Sequence, residues 1–148
     1  MKRVLTFIVG LLITTQLFSQ SETKEICKAF FEKYKLQNSD VAIDYLFSNT
    51  AYAEDIKDGI DDVKRGLKKQ IGLIGLYYGA DLLAERTAGP NVVLYTYLVR
   101  HSMQAMVFYI MFYRPNGRWQ MQSFKFHNNV SDELEEGSKL FRLKENFN

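Results

Sequence analysis

Tyr95 and Tyr97, two positions apart, a third tyrosine at Tyr109, and the two histidines, His101 and His127, are the side chains whose types and spacing suit chemistry. A tyrosine hydroxyl in an apolar setting can donate to a developing oxyanion, and such a donor works together with a carboxylate base. The span from Val92 to Ile110 carries these tyrosines but no Asp or Glu, and the strand before it offers only Asp81 and Glu85. Isomerase or dehydratase chemistry is therefore the alternative, and no catalytic residue is assigned. Two histidines without nearby Cys or a carboxylate cluster make no metal site. Cys27 is the single cysteine, which leaves no intrachain disulfide to form. It falls in an apolar helical stripe and reads as a small buried hydrophobe, not a nucleophile. Gly72-Leu73-Ile74-Gly75 lacks the Lys and the preceding strand of a phosphate loop. No cofactor is implied.

The elements that position these side chains lie between Asn91 and His127. Val92 to His101 and Gln104 to Arg114 are rich in β-branched, aromatic and Met residues, and each reads as a strand. Ser102-Met103 joins them as a tight hairpin. Arg114-Pro115-Asn116-Gly117 is turn chemistry, with Pro fixing φ and Gly taking the left-handed position. Arg118 to His127 is the last strand, and Gly79 to Ala88 is the first, closed by Gly89-Pro90-Asn91. Ahead of the sheet, Ile26, Cys27, Phe30, Phe31 and Tyr34 fall at helical spacing within Glu22 to Leu36. A short helix over Val41 to Phe47 follows, capped by Asn38 or Ser39. A third, from Asp61 to Ile74, carries Val63, Leu67, Ile71 and Ile74. Gly66 suggests close packing of this helix, and Gly72 and Gly75 mark its end. Asn128 to Asn148 is a charged tail in which Leu134, Leu140 and Phe141 support a short helix.

Composition narrows the class. The 148 residues are 47% hydrophobic and 24% charged, as expected of one folded domain with a real core. Met1-Lys2-Arg3 followed by the apolar run Val4 to Phe18 and the small Ser19 reads as a secretory signal peptide over residues 1–19. The run is shorter than the ~20 residues of a spanning helix, so no stable membrane insertion is expected after cleavage. Localisation is then periplasmic or secreted. Without Lys2 and Arg3 the basic count falls from 19 to 17, equal to the 17 acidic residues. A neutral mature chain argues against nucleic acid as a partner, because phosphate tracking needs a concentrated excess of Lys and Arg.

Alternation along the strands sorts the side chains. With Arg114 facing Arg118, one side gathers Val93, Tyr95, Tyr97, Val99, Met106, Phe108, Ile110, Phe112, Phe124 and Phe126. The other gathers Val92, Leu94, Leu98, Val107, Tyr109, Met111, Tyr113, Trp119 and Met121. An antiparallel sheet with one wet face alternates apolar and polar residues, whereas this one is apolar on both. One side packs on the helices. The second, with Tyr109, Met111, Tyr113, Trp119 and Met121 at its centre, is expected to be covered by a second copy, giving a homodimer. The same register brings His101, His127 and Arg100 to one rim. The candidate ligand pocket is Tyr95, Tyr97, Phe108, His101 and His127.

The leading helix, the phrase Val41-Ala42-Ile43-Asp44-Tyr45-Leu46-Phe47-Ser48, the third helix and the closing Gly117-Arg118-Trp119-Gln120-Met121-Gln122-Ser123-Phe124-Lys125-Phe126 resemble the nuclear-transport-factor-like superfamily. This is the cystatin-like cone shared with ketosteroid isomerase and the polyketide cyclases. The resemblance implies an α+β domain over residues 20–128, with three N-terminal helices packed on a curved antiparallel sheet of about four strands and a pocket at the wide end. It implies no single activity, because this fold hosts enzymes, binding domains and assembly modules. The leading expectation is a non-catalytic domain that binds a small apolar ligand or a protein partner.

Overall fold

The computed structural model describes the backbone of residues 21–146 and the side chains of residues 21–139. The expected leader over residues 1–19 and the side chains of Leu140 and Phe141 lie outside the described residues. Helix α1 covers residues 21–36 among these. It is followed by α2 (Ser39–Phe47), α3 (Lys57–Ile74), the strands β1 (Tyr77–Thr87), β2 (Val92–His101), β3 (Met106–Tyr113) and β4 (Gln120–His127), and a last helix α4 (Val130–Asn146). The four strands form one antiparallel sheet in the order β1-β2-β3-β4. Three helices precede a four-strand meander, an α+β architecture.

Local chemistry explains the element ends. Asn38 caps α2, its side chain accepting from the Val41 amide at 2.9 Å. Helix α3 begins at Lys57 instead of Asp61, so Asp58 and Gly59 lie inside its first turn, where an acidic residue favours the helix dipole. Gly75 is the C-cap of α3 at φ 86°, a conformation open to glycine, whereas Gly72 lies within the helix. The β2–β3 connection is wider than a two-residue hairpin, since pairing stops at Val99–Met106. It is tied to the α3–β1 link by the amides of Ser102 and Met103, which donate to Leu76 and Ile74 carbonyls at 2.8 and 3.0 Å. Residues 130–146 form a helix of 17 residues where a charged tail with a short helix was expected.

Helices and sheet share one core. From α1 it takes Ile26, Cys27, Phe30 and Tyr34; from α2, Ile43, Leu46 and Phe47; from α3, Ile60, Leu67 and Ile74. The sheet contributes Val93, Tyr95, Val99, Met106, Phe108, Ile110, Phe112 and Phe124, all on the face expected to meet the helices. Each such side chain taken out of water stabilises by about 1.5–3 kcal/mol. Gly66 brings α3 close to β4, since a Cβ there would stand 3.4 Å from the Phe126 ring.

The β3–β4 register departs from the expected one. Met111 pairs with Ser123 but Phe112 pairs with Met121, so Gln122 is an extra residue in β4. A bulge of this kind shifts the side-chain phase by one. Met121 and Trp119 therefore join the core at 3% and 7% exposure, and they do not belong to the outer face assigned to them from strict alternation. His127 sits opposite Val107, two residues on from the Ala105 that pairing Arg114 with Arg118 implies.

Candidate functional site

The space between the helices and the sheet is occupied by packed rings. Phe30 approaches Phe124 at 5.8 Å between centroids, and Phe108 meets Phe124 edge-on at 5.2 Å. Tyr34 lies edge-on to both Tyr77 and Phe108, at 5.0 and 5.9 Å. Such pairs add to the area they bury. Of the five expected pocket residues, Tyr95 and Phe108 are fully buried here and line nothing accessible. The Tyr95 hydroxyl is 2.8 Å from Thr23 Oγ1, which satisfies it inside the core.

His101 and His127 are not neighbours at a shared rim. His101 points to the inner face, where its Nε2 is 3.2 Å from the Tyr34 hydroxyl and its ring meets Tyr77 edge-on. Burial lowers its pKa from the ordinary value, with a smaller opposing effect of the Val99 backbone. His127 belongs to the outer face, with Nε2 3.2 Å from the Tyr109 hydroxyl and 3.6 Å from Glu133 of α4. Arg100 is engaged elsewhere, its Nε donating to Asp81 Oδ2 at 2.7 Å. The two-residue slip of β4 against the expected register, together with the alternation along the strands, separates the three.

Of the expected pocket residues, Tyr97 lines an open cavity. It forms, with Phe31 of α1 and Tyr77 and Ala80 of β1, the floor of a cleft of about 330 Å³ between α1 and the β1–β2 edge. The rings of Phe31 and Tyr97 meet edge-on at 4.8 Å. Lys24, Lys28, Glu32 and Lys35 stand along the α1 side. Burial is the main cause that pushes the Tyr97 hydroxyl pKa far up, reinforced by Cys27 beside it. Burial likewise raises the Cys27 thiol to about 12, against the lowering effect of its hydrogen bond to Tyr97. Both groups keep their protons, so the cleft floor is neutral and Cys27 is no nucleophile.

Two other cavities lie among the described residues. On the outer face, Leu94, Tyr109, Met111, Ser123 and Lys125 line an apolar groove of about 350 Å³. At the β3–β4 turn, a polar cavity of about 340 Å³ lies among Glu22, residues 48–51 and residues 118–120. Among the described residues no group of three or more His, Cys, Asp or Glu is placed to hold a metal ion. Nor is any described helix long and apolar enough to cross a membrane.

Sequence reasoning missed Phe31, Tyr77 and the lysines as lining residues. Tyr77 lies ahead of the expected start of β1, and Phe31 reads simply as part of the buried stripe. The available signal was spacing: residues 24, 28, 31 and 35 fall on one helical edge, which sets three lysines beside a phenylalanine. No protein-family model, curated protein or solved structure matches this chain.

Proposed function

We propose that the exported mature chain is a non-catalytic binding domain that holds a small, flat apolar ligand in the cleft over Phe31, Tyr77 and Tyr97. The observation that carries this reading is the division of space. Packed rings fill the interior of the domain, and the ring-floored cavity open to solvent lies outside it, against α1. Proton transfer in an apolar pocket calls for a carboxylate facing that pocket. The buried polar side chains among the described residues are Thr23, Thr96 and His101, and the carboxylate that lines the cleft, Glu32, is exposed at its rim and not desolvated by apolar walls. An apolar floor with a few polar groups at the rim is the usual make-up of a small-molecule site. The basic start and apolar run of residues 1–19 support export, and the order of helices and strands supports kinship with the nuclear-transport-factor-like cone.

Calorimetric titration with 2-naphthalenemethanol, a neutral flat probe, tests the reading. Saturable binding to the wild type, lost in a folded Tyr97→Leu variant, is the expected result. No saturable heat, or equal binding by the variant, overturns it.

A second reading is favoured by the outer groove, where Leu94, Tyr109 and Met111 present apolar surface and Tyr113 is 40% exposed. A second copy covering this face gives a homodimer. Sedimentation equilibrium at micromolar concentration should return the mass of two chains, and the mass of one chain contradicts it.

A further inference from the structure

The lysines along α1 give the cleft a chemical preference. Lys24, Lys28 and Lys35 line it together with a single carboxylate, Glu32. Lys24 is committed, its Nζ 2.9 Å from Glu85. Among the described residues, Lys28 and Lys35 make no ion pair, and both are exposed at the lip of the cleft. The mature chain as a whole is formally neutral, whereas Lys28 and Lys35 against the single Glu32 leave the lip of the cleft with a net positive balance over an aromatic floor.

We propose that the cleft takes an aromatic ligand bearing an anionic group, its ring against Phe31, Tyr77 and Tyr97 and its anionic group against the ammonium of Lys28 or Lys35 at an end of the ring floor. This rests on the binding reading above. The edge-on arrangement of Phe31 and Tyr97 leaves ring surface for offset or edge contacts with a flat guest. A cavity of about 330 Å³ admits a body of roughly two fused rings. Lys28 and Lys35 flank Phe31 on the same helical edge, one turn before it and one turn after, so their flexible stems bring an ammonium group to either end of the ring floor, with the exposed Glu32 carboxylate between them. The Tyr97 and Cys27 hydrogens stay in place and contribute no opposing charge.

The test uses three probes that share one ring system: naphthalene-2-carboxylate, 2-naphthalenemethanol and 2-naphthylmethylamine. Calorimetry on the wild-type mature chain should rank the acid first, about threefold to fivefold tighter than the alcohol, with the amine weakest. The Lys28→Gln/Lys35→Gln variant should bring the acid down to the alcohol and leave the alcohol unchanged. Added salt should weaken the acid alone. Acid and alcohol binding equally to the wild type, or the acid indifferent to the double variant, overturns the anionic preference while the cleft reading stands. No binding by any probe, or binding insensitive to Tyr97→Leu, brings down the cleft reading as well.

Discussion

At the scale of single residues, His101 and Gly75 have the most direct consequences. His101 is 7% exposed, with its Nε2 against the Tyr34 hydroxyl, and burial lowers its pKa below the ordinary 6.5. The unfolded chain therefore takes up a proton at a pH where the folded chain does not. Stability should fall as the pH drops through about 6.5, and the fall should level off below the folded-state pKa. Urea unfolding of the wild type and His101→Gln between about pH 7.5 and pH 5.5 checks this, since the variant should show the smaller loss. Gly75 is at φ 86°, and a Cβ there would collide with Ser102 Oγ, which itself accepts from the Leu76 amide at 3.0 Å. Gly75→Ala should destabilise by about 1–3 kcal/mol. Gly72, inside α3 with nothing near its Cβ position, should behave oppositely, Gly72→Ala stabilising by about 0.5–1 kcal/mol. Thermal melts of the two variants read both signs.

Among the elements, β4 shows what alternation reveals and where it misleads. On β2 and β3 the inner face was legible, because Val93, Tyr95, Val99, Phe108 and Ile110 keep a strict two-residue phase and all are buried. On β4 the apolar residues change phase, with Trp119 and Met121 at odd positions and Phe124 at an even one. Both sets face the core because Gln122 is the extra residue between them. That shift was present in the letters, but reading the strand as unbroken sent Trp119 and Met121 outward. The two methionines of the β3–β4 pair give the check: Met121→Ala should cost about 2–4 kcal/mol, and Met111→Ala, on the outer groove, less than about 1 kcal/mol. Equal losses in chemical denaturation would contradict the bulge. The cleft was less legible still, because its lining comes from α1 and from the start of β1, and only packing brings those two edges together.

For the molecule as a whole, the proposed reading places recognition on the surface and stability in the packed rings. The rings between helices and sheet hold the fold, with Phe30, Phe108 and Phe124 in mutual contact. The proposed recognition site is the surface cleft beside α1, whose lysines stand clear of that packing although its floor rings Phe31, Tyr77 and Tyr97 rest against it. Mapping a bound probe by two-dimensional NMR tests this division most directly. Titration of residues 20–148 with naphthalene-2-carboxylate should shift resonances of Phe31, Tyr77, Tyr97, Lys28 and Lys35 most and leave those of Tyr95, Phe108 and Tyr109 nearly in place. Shifts centred on Tyr95 and Phe108, or on Tyr109 and Met111, would contradict it.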